Sequence, residues 1–467
     1  MPLRQATPKL RPETRRLSAV ALATISWLGG CSAGHAQTVV LQPTLRPAGE
    51  TDDLLGMFSS KPMAQRSLRD NPTRNYQGLP FEGWMLYPSL FLGGIHDDNI
   101  YLAQTQRVKG EGIQAIPTFI ADRDRGVQHT KVFVNGSLNI YPGNWQGNLI
   151  NGEMGVGHVW EVQRDLVVRL GAEYDINSDV YSNGFLYTPY GSATIKAPQR
   201  RNTVGGFVSA VKSFDKVFVG LSASAYETTY DSLFTSVGSL PQAYRDNLLG
   251  TATARLGYSF SPAVYSFVEG SANVRNYSSE TAYGVIAPGV WTAGTFFNSQ
   301  GYRVITGLGS DRISLFKGEI YGGFQQQDFA TSILGTHSSA VYGGKVSWFP
   351  TRAWTVSLSL DEIFQDAALP LYSNPLGNSA FVTQATAIIQ YAIAKEWNFL
   401  LRGGYANYRY LSGTRTDNSW TGNFTFNYEI TRNLMATANY TFYQLESTAA
   451  GASYTRNVFG LGATYKY

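Results

Sequence analysis

Residues 434–443 read Leu-Met-Ala-Thr-Ala-Asn-Tyr-Thr-Phe-Tyr. Leu434, Ala436, Ala438, Tyr440 and Phe442 share one parity, and Thr437, Asn439, Thr441 and Tyr443 share the other. Successive side chains of a strand point to opposite faces, so a period of two over about ten residues predicts a strand with one apolar face. The pattern recurs. Val217, Val219, Leu221, Ala223 and Ala225 alternate with Gly220, Ser222 and Ser224; Trp354, Val356, Leu358 and Leu360 alternate with Thr355, Ser357 and Ser359. The chain ends on the same rhythm, with Phe459, Leu461, Ala463, Tyr465 and Tyr467 set against Gly460, Gly462, Thr464 and Lys466.

A soluble sandwich also alternates, so the connections decide. From Trp84 to Tyr467 the pattern repeats in about 18 strands, enough for a membrane barrel. Their links alternate in length. Short ones fall at Arg164-Asp165, Phe214-Asp215-Lys216, Ser261-Pro262, Ser310-Asp311, Pro350-Thr351-Arg352, Ala394-Lys395-Glu396 and Thr431-Arg432-Asn433. Longer ones fall between, at Ile95–Gly110, Ser178–Arg200, Thr228–Arg245, Ser278–Asn298 and Gln365–Asn378. A rim of tight turns and a rim of long loops is the layout of a transmembrane, antiparallel, up-and-down all-β barrel with periplasmic turns and extracellular loops. Such a barrel closes its last strand on its first, because lipid offers no partner to an open edge.

Composition agrees. The 467 residues include only 15% charged side chains but 13% aromatics and 48 Gly, which excludes a disordered chain. No basic patch stands out, so nucleic acid is not an expected partner. No stretch after residue 36 approaches the ~18 apolar residues of a membrane helix. The formal charge of +4 belongs to the first 36 residues, where Arg4, Lys9, Arg11, Arg15 and Arg16 face Glu13 alone. There Arg15-Arg16, the apolar run Leu17–Leu28 and the small-residue end Gly34-His35-Ala36 describe a secretory signal, 1–36, for the general export route. Leu28-Gly29-Gly30-Cys31 resembles a lipoprotein box, so Cys31, the one cysteine, is either lipidated or discarded with the signal. Residues 37–83, broken by Pro43, Pro47, Pro62, Pro72 and Pro80, read as a periplasmic tether, and 84–467 as the barrel.

Trp160, Trp348, Trp354 and Trp397 lie within a few residues of a short turn, which reads as an aromatic girdle at the membrane–water boundary. Tyr465 and Tyr467 give a terminal aromatic strand like those recognised by barrel-assembly machinery. Opposite the apolar face lie Arg169, Glu173, Asp175, Arg255, Glu269, Arg303, Lys317, Glu319 and Arg402. A charge facing lipid at mid-membrane costs about 2–4 kcal/mol, so these belong to the lumen, as selectivity candidates or as salt-bridge ladders that fill and stiffen the wall. Tyr226, Tyr321, Tyr408 and Tyr443 share the inward parity, and aromatic faces along a passage would suit sugars. His96-Asp97-Asp98-Asn99 follows the first strand; it is either a polar turn or a cation or base site, the sole basis for an enzyme reading. No phosphate loop or metal-ligand spacing stands out, and no cofactor is expected.

Leu86-Tyr87-Pro88-Ser89-Leu90, Gly93-Gly94 and Asp97-Asp98-Asn99 resemble the opening strand of the putative β-barrel porin 2 family. Tyr258-Ser259-Phe260-Ser261-Pro262, Gly301-Tyr302-Arg303-Val304, Trp348-Phe349-Pro350-Thr351 and Tyr454-Thr455-Arg456-Asn457 follow in order, so the likeness spans about Leu79–Tyr467. The resemblance implies a proteobacterial outer-membrane barrel of a family often associated with exopolysaccharide export. His96, and loops poor in acid, depart from the family's pattern. The expected function is a porin-like channel for hydrophilic solute, including exopolysaccharide, with outer-membrane lipid and a periplasmic export protein as partners. A non-conducting barrel that binds surface glycan through its loops is the alternative, and a barrel hydrolase built on His96 the third reading.

Overall fold

The structure is a computed structural model. It describes residues 78–467 except 181–185, 189–190, 194, 262, 279–283, 288–289, 293–296, 314, 332–333, 352, 366–378, 393–395 and 412–413. The signal, Cys31 and the tether up to residue 77 lie outside the described residues.

Eighteen long strands form one sheet. The first six are Trp84–Asp97 (β1), Gly110–Asp124 (β2), Gln128–Ile140 (β3), Leu149–Gln163 (β4), Leu166–Asp179 (β5) and Gln199–Phe214 (β6). The next six are Val217–Tyr230 (β7), Asn247–Ser261 (β8), Val264–Tyr277 (β9), Ser299–Ile313 (β10), Phe316–Phe329 (β11) and Thr336–Trp348 (β12). The last six are Trp354–Gln365 (β13), Ala380–Ala392 (β14), Trp397–Tyr410 (β15), Thr416–Glu429 (β16), Leu434–Ser447 (β17) and Tyr454–Lys466 (β18). Each strand pairs antiparallel with the next, and β18 pairs antiparallel with β1 from Ser89↔Lys466 to Asp97↔Val458. The sheet is a closed barrel. Ahead of it the short strand Leu79–Phe81 folds back on Trp84–Leu86.

The turns at one rim are tight. Asp215-Lys216 joins β6 to β7, and Asp215 takes a positive φ of 53° that few residue types tolerate. One expected turn moves: Ser310-Asp311 lies inside β10, and the reversal comes after Ile313. The register of β10 with β11 shifts between Ser310 and Ile313, and such an irregularity near a strand end reads as a turn in sequence.

Alternation sorts the wall as the period requires. Leu221, Leu256, Val268, Val304, Leu358, Leu401 and Leu461 are exposed on the outside, whereas Phe218, Tyr265, Phe267, Ile305 and Val341 are buried on the inside. Inward rings lie flat over glycines of neighbouring strands. A β-carbon on Gly257 or Gly309 would overlap the ring of Phe218 or Tyr265, so both sites depend on the missing side chain.

One joint in the wall is weak. β12 and β13 pair only from Gly344↔Leu360 to Trp348↔Val356, and their loop-side halves diverge. Side chains bridge the gap. Arg303 Nη2 and the Tyr321 hydroxyl both donate to Asp361 Oδ1 at 2.8 Å, crossing β12 at Gly343. Glu362 is fully buried there and accepts from Thr383 and Arg409, and from Ser339 at 3.4 Å.

Candidate functional site: the lumen and its mouth

The register carries Arg169, Glu173, Asp175, Arg255, Glu269, Arg303, Lys317, Glu319 and Arg402 to the inner face. Arg255 on β8 stands directly opposite Glu269 on β9. Its Nε donates to Glu269 Oε2 at 2.7 Å and its Nη1 to Glu319 Oε1 at 3.1 Å, while Cζ sits 4.0 Å from the Phe267 ring centre. Tyr265 donates to the same Glu319 Oε1 at 2.5 Å. Tyr226 is hydrogen-bonded to Glu173. These are ladders bound into the wall. Arg169 differs: it is 1% exposed, and none of its guanidinium nitrogens has a hydrogen-bond partner among the described residues.

The four inward tyrosines are likewise committed. Tyr226, Tyr321, Tyr408 and Tyr443 are all buried. Tyr321 donates to Asp361, and Tyr408 and Tyr443 pack in apolar clusters. They present no open aromatic track to a passing sugar.

The loop-side mouth holds a further feature, within the long loop Thr228–Arg245. Between β7 and β8, Leu233–Thr235 pairs with Gly238–Leu240 as a small hairpin. Leu233 and Leu240 are buried against Ala380 and Val382 of β14 and Tyr408 and Tyr410 of β15. Those strands lie six to eight places further round the wall, so the hairpin crosses the lumen. Thr235 bridges Ile195 of the preceding loop, and the Lys196 N–H donates to the Phe234 carbonyl at 2.9 Å. At the hairpin's base Asp246 Oδ1 accepts from the Tyr230 N–H at 2.8 Å, and Arg245 Nη1 donates to Gln199 Oε1 at 2.8 Å. Burial raises the Asp246 carboxyl above the usual range, and the Glu227 and Asp231 carboxylates add to this against the Tyr230 N–H and Arg245. A second apolar cluster reaches inward beside it: Leu102 and Val180 from two loops pack with Leu149, Tyr443, Leu445 and Tyr454.

The sequence matches the family described as Putative beta-barrel porin 2 over residues 72–467. The chain belongs to that family. No curated protein matches it. Among solved structures, the siderophore receptor PirA from Acinetobacter baumannii is similar at 9% identity and a TM-score of 0.43, over 82% of this chain and 80% of that one. PirA from Pseudomonas aeruginosa gives 9% identity and a TM-score of 0.39 over the same shares, 82% and 80%. A mutant ferric enterobactin receptor PfeA from Pseudomonas aeruginosa, in complex with enterobactin, gives 9% and 0.43 over 82% and 81%.

In this porin 2 barrel the His96–Asn99 cluster is a joint. Asp97 is fully buried and accepts from Arg456 Nε at 3.0 Å, Arg456 Nη2 at 2.5 Å and the Tyr141 hydroxyl at 3.0 Å. Burial raises the Tyr141 hydroxyl well above its ordinary value, with the Asp97 carboxylate acting in the same direction. Asp98 accepts from the Asn457 side chain at 2.7 Å, and Asn99 donates to the Ala103 and Thr455 carbonyls. These bonds tie the first strand and its loop to the last strand. His96 points outward, where its Nδ1 lies 2.5 Å from Glu111 Oε1. Two acids that a base would need are thus held by Arg456 and Asn457.

Outside, Trp160, Trp348, Trp354 and Trp397 are 43%, 40%, 37% and 41% exposed, all near the short-turn rim. Trp348 stacks on Phe316 and Trp354 on Tyr391, with centroids 6.1 Å and 4.1 Å apart. Tyr465 and Tyr467 are exposed beside them, and the Tyr467 N–H donates to the Pro88 carbonyl at 3.3 Å.

Proposed function

We propose that the chain is an outer-membrane, porin-like channel for hydrophilic solute, narrowed at rest by the hairpin Leu233–Leu240. One observation carries this reading: the hairpin spans the mouth and packs on the far wall. Barrels of 16–18 strands leave room for an aqueous passage, so a folded-in segment, rather than the wall alone, sets the bore. Selection is passive, by bore and by the lumen residues, without cofactor or covalent chemistry. The polysaccharide form of this reading requires the hairpin to swing away, since the inward tyrosines are already engaged. The general secretory route, recognition of Tyr465 and Tyr467 by barrel-assembly machinery, and a periplasmic export partner for the tether 37–83 belong to the same proposal.

The alternative is a non-conducting barrel that presents its loops to surface ligands, and the doubly packed mouth favours it. Planar-bilayer recordings separate the two. The full chain should show a small unitary conductance, and a variant with residues 232–241 replaced by a short Gly-Ser turn a several-fold larger one. Insertion without current in either protein rejects the channel.

A further inference from the structure

Arg169 stands on the inner face of β5, register-paired with Val159 of β4 and Ser209 of β6. It is 1% exposed, and among the described residues its Nε, Nη1 and Nη2 all lack a hydrogen-bond partner. The Ser209 hydroxyl is buried and also lacks a partner. Inward neighbours along β5 are Val167 and Gly171; across the ladders they are Gly157, Glu161, Phe207 and Val211. Glu161 alone among them carries a carboxylate, and no hydrogen bond joins it to Arg169. Arg255, Arg303, Arg201 and Arg456, by contrast, each hold a carboxylate. A buried guanidinium without a counter-charge is costly, and the fork of N–H donors fits a planar or tetrahedral oxyanion in two-point contact.

We propose that Arg169 and Ser209 form an oxyanion-binding subsite in the lumen wall, which takes the carboxylate, sulfate or phosphate group of an acidic solute. The guanidinium supplies donors and a positive charge, and the Ser209 hydroxyl can donate as well, so the subsite favours anions over cations. The inference names a substrate class for the channel proposed above, but the binding step itself does not require conduction.

The test is calorimetric titration of the folded full chain in detergent with sodium sulfate, sodium phosphate and sodium acetate at constant ionic strength. One site per chain is expected. Arg169→Gln should weaken the preferred anion by about tenfold or more, as loss of a charge-assisted bond implies. Arg169→Lys keeps the charge but not the fork and should weaken it less; it also serves if the Gln variant loses heat-modifiable mobility. Ser209→Ala should weaken it by a few-fold. Preference for acetate assigns a carboxylate, and preference for sulfate or phosphate a tetrahedral group. Absence of any binding, or equal binding by wild type and both Arg169 variants, overturns the subsite. Binding in a protein that passes no current retains the subsite and rejects the channel, whereas current without binding does the reverse.

Discussion

Arg255 and Arg169 hold equivalent places in the wall, both inward on long strands and both 1% exposed. One is held by two carboxylates and a phenyl ring; the other has no hydrogen-bond partner among the described residues. The difference shows that facing the lumen and lining a functional lumen are separate properties. A charge satisfied by its own wall is part of the wall. A charge left unsatisfied keeps its donors for another partner.

The contrast breaks first on stability. Arg255→Leu strands Glu269 and Glu319 in a buried site and should cost about 3–5 kcal/mol in denaturant unfolding of the detergent-solubilised barrel. Adding Glu269→Gln and Glu319→Gln should recover most of that loss. Arg169→Leu breaks no pair and should stay within about 1 kcal/mol of wild type, or exceed it, in anion-poor buffer. Equal losses at the two sites would mean that Arg169 has a partner after all.

A second buried pair sharpens the point. Asp97→Ala removes the acceptor shared by Arg456 and Tyr141 at the closing strands, and about 3 kcal/mol of stability should go with it. Heat-modifiable mobility on gels checks this, with earlier loss of the fast-migrating band. Gly257→Ala forces the Phe218 ring from its seat and should cost about 1–3 kcal/mol by the same measurement, with Phe218→Ala added as the relieving change.

The smallest effect concerns pH. The Asp246 carboxyl is raised in the folded protein, so the fold favours its protonated form. That contribution is fully present below the free carboxyl's pKa of about 3.9 and is lost as pH rises through the folded value. The hairpin base should therefore loosen toward neutral pH, and unitary conductance should rise from acid to neutral buffer. Asp246→Asn should hold the acid value throughout. A profile unchanged by that substitution would detach Asp246 from the mouth.

Much of this was legible in the sequence. The alternation in 434–443 and its repeats determine the strands, their faces and hence the closed barrel, because period two is a local property of the chain. The opposition of Arg255 to Glu269 was within reach too, since β8 and β9 are consecutive and a two-residue connection constrains their register. Glu319 was not, because it lies two strands further on. The hairpin's docking of Leu233 on Val382 joins residues far apart in the chain; its local trace is the apolar set Leu233, Phe234, Val237 and Leu240 inside the long loop between β7 and β8. The isolation of Arg169 is a statement about every neighbour at once, and no stretch of sequence contains it.

All of these contrasts rest on which face meets lipid. Single cysteines at Leu358 and Ser359, each in a Cys31→Ser background and labelled with an environment-sensitive fluorophore in liposomes, address that directly. Leu358 is 54% exposed on the outer face, and Ser359 occupies the inward parity. Nitroxide lipid should quench the label at 358 and leave the label at 359 unaffected; equal quenching at both positions, or at neither, would contradict a closed barrel with a lipid side and a lumen side.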